Sequence, residues 1–276
     1  MINSTMEKPL QSNGTGYSLT RDVYRYGAEV NSHDLVKVLA ISTMVIDHIG
    51  RFFLDNNVWF RVVGRMAAPL FFFLVGYSGS YRFKSHILLY GFALSMINYL
   101  TTPSFTIYQH IQGIVPLNIL VSFTLIKALL SKFTPAKLPT EFLIVLLSIL
   151  MFFSLPTYFL IEYGTLGLCY AIGARLLNQG HRFRYVWICV TVGVHFCYEA
   201  VMLLVLNAGV STRLIPLAAG LLAVVFLANL VIFLNYNLRI FKINQRYLRT
   251  LALYVSRYSL EVYFFHLSAF MIISYI

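Results

Sequence analysis

Long apolar runs, broken by short polar turns, follow one another along the chain from about residue 35 to its end. A run of about 20 apolar residues can cross the hydrocarbon core of a membrane as an α-helix. On this pattern we expect about nine spans, at 35–54, 62–80, 85–101, 114–131, 141–159, 163–178, 185–207, 213–235 and 254–275. The predicted fold class is therefore all-α, a polytopic transmembrane helix bundle.

Two stretches depart from this pattern. Residues 1–33 are polar and contain no hydrophobic signal segment, so we interpret them as a cytoplasmic tail. The remainder, 34–276, then forms a single transmembrane domain. Residues 236–253 are basic and amphipathic, which predicts a segment lying at the membrane surface. Among the spans, 163–178 is the weakest because it holds three glycines, and a re-entrant segment is an alternative there.

The composition agrees with a membrane protein. Hydrophobic residues make up 59% of the 276 residues and charged residues only 11%, and the mean hydropathy is +0.74. Soluble domains contain about 25% charged residues. The formal net charge of +11 would suit a nucleic-acid partner only if the cations formed a stripe or patch. They lie instead in turns between apolar runs, so we expect no nucleic-acid binding.

The cations also predict an orientation, because Lys and Arg are enriched in cytoplasmic connections. Alternate connections place fourteen cations on the side of the N-terminus and three on the other side. The fourteen are Lys8, Arg21, Arg25, Arg82, Lys84, Lys132, Lys137, Arg175, Arg182, Arg184, Arg239, Lys242, Arg246 and Arg249. The three are Arg51, Arg61 and Arg213. We therefore expect a cytoplasmic N-terminus.

Metal and disulfide chemistry find little support. All three cysteines, Cys169, Cys189 and Cys197, fall inside apolar runs, and none belongs to a CxxC pair. An odd number of such thiols is typical of small hydrophobic packing residues. We predict no metal site.

The most unusual polar positions are Asp47 and His48, inside the apolar run LVKVLAISTMVIDHIGRFFL. Ionisable groups at membrane depth are costly and often mark a functional path. Histidine is the commonest general base, and a neighbouring acid can tune it. Adjacent helical residues point about 100° apart, so the two need not bond each other. A structural polar contact between helices, with Arg51 and Arg61 nearby, is the alternative.

Lys37 and Arg65 flank this pair. Lys37 precedes His48 by eleven positions, a rise of about 16 Å along a helix. It could bind an anionic substrate arriving from the cytoplasm, or simply extend to the headgroups. Arg65 follows a short hairpin after the first span. We expect it near Asp47, either as a structural ion-pair partner or as support for a transition state.

Three further candidates lie later in the chain. His195 and Glu199 are spaced i, i+4, so both should lie on one inward face of a helix, as a second acid–base pair or as a helix contact. Glu162 falls in a turn on the outer side, where it could contact substrate or simply face solvent. His266 lies alone within the last span, and we interpret it as a packing hydrogen bond.

The chain resembles TraX-type membrane proteins in two adjoining runs, VKVLAISTMVIDHIGRFF and FRVVGRMAAPLFFFLVGYSGSYR. Two later runs, IEYGTLGLCYAIGARLL and YVSRYSLEVYFFHL, also look like their counterparts in that family. These proteins are named for a conjugation protein implicated in N-acetylating pilin. They are similar in turn to a broader set of polytopic acyltransferases, including glycan O-acyltransferases and the lysosomal heparan-glucosaminide acetyltransferase.

The resemblance implies a function and roles for residues. Many of the glycan enzymes carry an arginine, ten intervening residues and a histidine in the first helix, and Lys37 and His48 occupy that pattern here. By resemblance, His48 is the catalytic histidine and Lys37 contacts coenzyme A. The donor would be acetyl-CoA or another acyl-CoA, and the acceptor an extracytoplasmic pilin-like peptide or glycan. The chain would lie among the lipids of a bacterial inner membrane.

We therefore expect an acyl-CoA-dependent acetyltransferase with His48, Asp47 and Arg65 as catalytic residues. Lys37, together with His195, Glu199 and Glu162, would bind substrate. A proton-coupled transporter is an alternative, because the same buried groups could relay protons. A non-catalytic membrane component of a conjugation or secretion assembly is a third reading.

Overall fold

The computed structural model describes residues 29–55, 57–79, 85–101, 118–158, 161–206 and 214–275. These ranges are almost entirely helical, which confirms the all-α prediction. The helices are α1 (Ser32–Phe52), α2 (Val58–Gly64), α3 (Ala67–Tyr77), α4 (Ser85–Thr101), α5 (Ile119–Lys132), α6 (Thr140–Phe152), α7 (Ser154–Tyr158), α8 (Gly164–Asn178), α9 (Arg184–Leu206), α10 (Ile215–Leu234), α11 (Arg246–Arg257) and α12 (Ser259–Tyr275). A 3-10 turn, Pro135–Lys137, precedes α6. Residues 1–28 of the predicted tail lie outside the described residues, whereas its last residues belong to a short strand (Val30–Asn31) and to the start of α1.

Helix α1 begins at a defined cap. The side chain of Asn31 accepts a hydrogen bond from the backbone N–H of Asp34, and the Asp34 carboxylate accepts one from the backbone N–H of Asn31. This reciprocal capping satisfies N–H groups that a helix start leaves unpaired. The short strand β1 (Val30–Asn31) pairs antiparallel with β2 (Ile240–Phe241), which ties this start to the connection before α11. Helix α1 then contacts α2, α3, α11 and α12.

The second predicted span is broken. Helix α2 ends at Gly64 and α3 begins at Ala67, with Arg65 and Met66 between them. Pro69 explains the break, because it has no N–H to donate to the carbonyl of Arg65 and disfavours helix in the preceding residues. The break places Arg65 at a helix junction, where its long side chain can reach a neighbouring helix.

Three helical segments are long and apolar enough to cross a membrane within the described ranges: Val58–Tyr77, Arg184–Met202 and Ile215–Leu234. Thr140–Phe152 and Ser259–Tyr275 are shorter apolar helices. Helix α1 has 21 residues but is interrupted by charged side chains. The count of about nine spans and the cytoplasmic N-terminus stay predictions.

Helix α8, the weakest predicted span, is a continuous helix of 15 residues and packs centrally. A Cβ at Gly76 of α3 would collide with the backbone of Ala171 in α8. A Cβ at Gly173 would meet the ring of Trp187 in α9, whose indole N–H donates to the carbonyl of Cys169 at 2.8 Å. Gly173, one of the glycines that weakened the prediction, and Gly76 of α3 therefore allow three helices to approach closely.

The amphipathic stretch also differs in its boundary. Helix α11 runs to Arg257, and α12 begins at Ser259, so the first residues of the predicted last span belong to the amphipathic helix. Ser256 of α11 is buried, and its helix contacts α1. Tyr247 and Leu251 lie on the exposed side. This division suits a helix with one face on the protein and one in the membrane interface.

Candidate active site

One cleft gathers most of the predicted site residues. Asp47, His48, Arg65 and Glu162 all line it. Its cavity volume is about 60 Å³, so the cleft is narrow beside the roughly 300–1,000 Å³ of typical small-molecule sites. The remaining lining residues are Met44, Arg51, Arg61, Gly64, Ala67, Ala68, Phe71, Ile119, Tyr163 and Tyr263. Three arginines and two carboxylates thus surround one imidazole.

The His48 ring is oriented by a second histidine. Its Nδ1 lies 2.8 Å from Nε2 of His266 on α12. The other nitrogen of His266, Nδ1, lies 2.7 Å from the carbonyl oxygen of Val262. A carbonyl can only accept, so the proton of neutral His266 is on Nδ1 and its Nε2 is an acceptor. His48 must therefore donate from Nδ1, which leaves its Nε2 with a lone pair.

The His48 side chain is packed between aromatic rings at the cleft. Rings of Phe52 and Tyr263 approach His48 with centroids 6.2 and 6.1 Å away. The residue is 9% exposed and lines the cleft. Among the described residues, no hydrogen bond to its Nε2 forms. A neutral imidazole with its partner on Nδ1 and its Nε2 unoccupied is the arrangement that a general base or nucleophile requires.

The predicted ion-pair partner of Asp47 is wrong. Asp47 Oδ2 bonds Nη1 of Arg61 at 2.7 Å, rather than relying on Arg65. Its side chain also lies against Gly64, where any Cβ would collide with it. The α1–α2 hairpin is thus as close as expected, but it is Arg61, counted as a topogenic cation, that meets the acid. Adjacent Asp47 and His48 bond different helices, as their angular separation allows.

Arg65 connects the cleft to a buried polar cluster. Its Nε donates to Oε2 of Glu199 at 3.0 Å. Glu199 Oε1 lies 3.5 Å from Nε2 of His195, so the two share one helix face as predicted. His195 Nδ1 is 3.0 Å from the Tyr170 hydroxyl. Because the carboxylate favours a proton on Nε2, the hydroxyl donates to Nδ1. His195 and Glu199 therefore lie behind the cleft and hold Arg65.

Glu162 serves two roles in the cleft wall. Its Oε2 accepts a hydrogen bond from the backbone N–H of Ile119 at 3.0 Å, which caps α5. Its carbonyl accepts from the Ser122 hydroxyl at 2.9 Å. The next residue, Tyr163, has φ of 64°, an uncommon left-handed conformation for a non-glycine residue. Two bonds to α5 and this turn hold the carboxylate at the cleft rather than in open solvent.

Lys37 lies away from the cleft. Its Nζ donates to the carbonyl of Ser256 at 3.4 Å. The cleft lining on α1 begins at Met44, about 10 Å further along the helix. The predicted site residues thus form a group around the cleft with His48, a buried pair behind it (His195 and Glu199) and one separate cation near the start of α1.

Sequence reasoning missed several lining residues. From the sequence, Arg61 is interpreted mainly as a charge that sets topology, and His266 as a residue that makes a packing hydrogen bond. Tyr163 and Tyr263 sit among many aromatics and carry no distinguishing signal. The run VYFFHL, with a polar ring inside an apolar span, was the one indication that His266 faces a partner.

Comparison with known proteins gives a short list. An uncharacterized protein of Rickettsia prowazekii (strain Madrid E) is 38% identical over 68 residues, which is 25% of this chain and 27% of that protein. The match therefore spans only about a quarter of the relative's length. No solved structure matches the chain. A family model described as TraX protein matches residues 32–274, most of the chain. The chain therefore belongs to the TraX family.

Proposed function

We propose that this protein is an integral membrane acetyltransferase that uses cytoplasmic acetyl-CoA to modify an acceptor amine or hydroxyl at the outer face. The observation that carries the proposal is the His48 imidazole, which lines the cleft and has its Nδ1 bonded to His266. TraX family membership agrees with it, since the family is named for a protein implicated in pilin acetylation.

In this mechanism His48 acts at Nε2. The acceptor N–H or O–H gives its proton to Nε2 while its nitrogen or oxygen attacks the thioester carbonyl carbon. The carbon–sulfur bond then breaks, and the imidazolium returns the proton to the leaving thiolate. General-base catalysis of this kind contributes about 10²- to 10⁴-fold. The alternative within the same chemistry is a transient acyl group on Nε2.

The neighbouring charges support this step. Asp47 lies beside His48 in sequence and neutralises Arg61 across the hairpin. Arg65 lines the same cleft and is held by Glu199, so its guanidinium is available to stabilise the oxyanion that develops on the thioester carbonyl. Glu162, which lines the same cleft, would contact the acceptor.

The two substrates would arrive from opposite sides. Acyl-CoA is polyanionic, and the many cations predicted on the cytoplasmic side would attract it. Lys37, at the start of α1, would contact its phosphates. The acceptor, a pilin-like peptide or a glycan, would enter the cleft at the outer ends of α1 and α2. The acetyl group would thus cross the membrane without coenzyme A.

Reconstituted vesicles test the proposal. Purified protein in liposomes receives acetyl-CoA outside and either an N-terminal peptide amine or an amino sugar only inside. Acceptor-dependent release of the coenzyme A thiol is the expected result. Movement of acceptor across the bilayer without thiol release would overturn the proposal in favour of a proton-coupled transporter. Neither thiol release nor movement would overturn it in favour of a non-catalytic assembly component.

A further inference from the structure

We infer that His266 is a positioning residue that fixes His48 as an Nε2 base and takes up its Nδ1 proton as charge develops. The inference rests on the proposed function and gives a role to a residue that the sequence alone indicated only as a packing hydrogen bond. Its basis is the chain of two hydrogen bonds from His48 through His266 to the Val262 carbonyl, at 2.8 and 2.7 Å.

The geometry leaves a single neutral arrangement. Val262 and His266 are one turn apart on α12, so the carbonyl acceptor belongs to the same helix and moves with the ring. The two imidazole planes lie within 25° of each other with centroids 5.0 Å apart, as expected for rings joined edge to edge by a hydrogen bond. His266 is also held edge-on by the Phe270 ring at 5.5 Å. Rotation of either imidazole would break a bond, so the tautomer of His48 is set by the fold.

The pair has a chemical consequence. When Nε2 of His48 takes a proton from the acceptor, its Nδ1 proton can move to Nε2 of His266, whose Nδ1–H stays on the carbonyl. His48 is then neutral again, with its proton on Nε2, and the positive charge lies on His266. The charge is thereby drawn away from Arg51 and Arg61, which line the same cleft. A positive charge that stayed on His48, beside two arginines, would be less favourable than one on His266.

Packing alone makes different predictions. A hydrogen bond between membrane helices contributes to stability whatever the chemistry of the acceptor. If His266 only joined α1 to α12, substitutions would alter stability and leave the reactivity of His48 unchanged. The nucleophilicity of His48 Nε2 is therefore the quantity to measure.

The test uses diethyl pyrocarbonate, which acylates unprotonated imidazole nitrogen and needs neither donor nor acceptor. The rate of modification at His48 is followed by peptide mass spectrometry in wild type, His266→Phe and His266→Gln. Phenylalanine keeps a ring beside Phe270 but accepts no hydrogen bond, whereas the glutamine amide oxygen can accept from Nδ1. The exposed His86 gives an internal reference rate in each sample.

We expect His48 modification to slow about tenfold in His266→Phe and to recover to within about threefold in His266→Gln, relative to His86. Equal His48 rates in all three proteins would overturn the inference, as would slowing in both variants alike. If His266→Phe does not fold, His266→Leu takes its place in the comparison. The modification reaction contains no substrate, so it is independent of acyl transfer. If His48 modification slows in His266→Phe and recovers in His266→Gln but the protein transfers no acyl group, the proposed function is refuted and the positioning role of His266 stands.

Discussion

Arg65 and Glu199 form a hydrogen-bonded ion pair, with Nε and Oε2 3.0 Å apart, between the break after α2 and the buried face of α9. The Glu199 side chain is only 4% exposed, whereas that of Arg65 is 22% exposed. One partner is thus sealed in the bundle, and the other spans from the bundle to the cleft. The pair therefore couples the stability of the helix packing to the electrostatics of the cleft.

Removing one member of this pair should be worse than removing both. Arg65→Met leaves the Glu199 charge buried without its partner, and we expect a loss of about 3 kcal/mol in the free energy of unfolding. Arg65→Met combined with Glu199→Met should regain most of that loss. Denaturant unfolding in detergent measures both. A double variant no more stable than the single one would contradict the assignment of this pair as the main compensation of Glu199.

Asp47 should matter to turnover more than to substrate affinity. Asp47→Asn removes the charge that balances Arg61 beside His48, and we expect acetyl transfer to slow by about tenfold or more with KM little changed. Asp55→Asn is the matched control, since Asp55 is exposed and Asn tolerates its φ of 46°. Equal rates for Asp47→Asn and wild type would remove Asp47 from the active site.

Lys37 should act on the donor alone. Lys37→Met is expected to raise the KM for acetyl-CoA several-fold while kcat changes little, because the residue lies about 10 Å from the start of the cleft lining. Lys37→Arg should keep the charge and much of the affinity. Lys132→Met, on the exposed end of α5, controls for loss of a cation in general. Unchanged KM in Lys37→Met would exclude donor binding at this position.

The glycine contact between α3 and α8 offers a test of the packing. Gly76→Ala forces a methyl group into the backbone of Ala171, and we expect destabilisation of about 1–3 kcal/mol. Gly220→Ala on α10 meets no atom within 4 Å among the described residues. It should be neutral or stabilising by up to about 1 kcal/mol. Thermal unfolding of the two variants compares them directly, and similar losses in both would argue against this close approach.

Accessibility labelling tests the predicted orientation. In a cysteine-free background, Asp55→Cys in the turn after α1 should react with a membrane-impermeant maleimide in intact cells. Lys137→Cys, in the 3-10 turn before α6, should react only after the membrane is opened. The reverse pattern would place the cleft on the cytoplasmic side, and the acceptor would then have to be cytoplasmic as well.

Sequence patterns predicted the helical class and most helix boundaries, and they selected Asp47 and His48, which line one cleft. A 3.6-residue period and the cost of burying charge act within one helix, so they can be recognised from one sequence. Which helix packs opposite which cannot be recognised in this way. The partners of His48 and Asp47, namely His266 and Arg61, therefore appeared only in three dimensions. Pro69 is a signal for the break at Arg65, but the apolar run around it is long enough to be predicted as one uninterrupted span.

The most direct measurement is the rate at which the purified protein releases coenzyme A from acetyl-CoA in the presence of acceptor, in wild type and in His48→Ala. His86→Ala, a change at an exposed residue, serves as control. All proteins are compared at equal amounts of folded protein in the same lipid. The mechanism predicts a loss of at least about 10²-fold in His48→Ala and wild-type turnover in His86→Ala. Equal turnover in wild type and His48→Ala would contradict the assignment of His48 as the reactive imidazole.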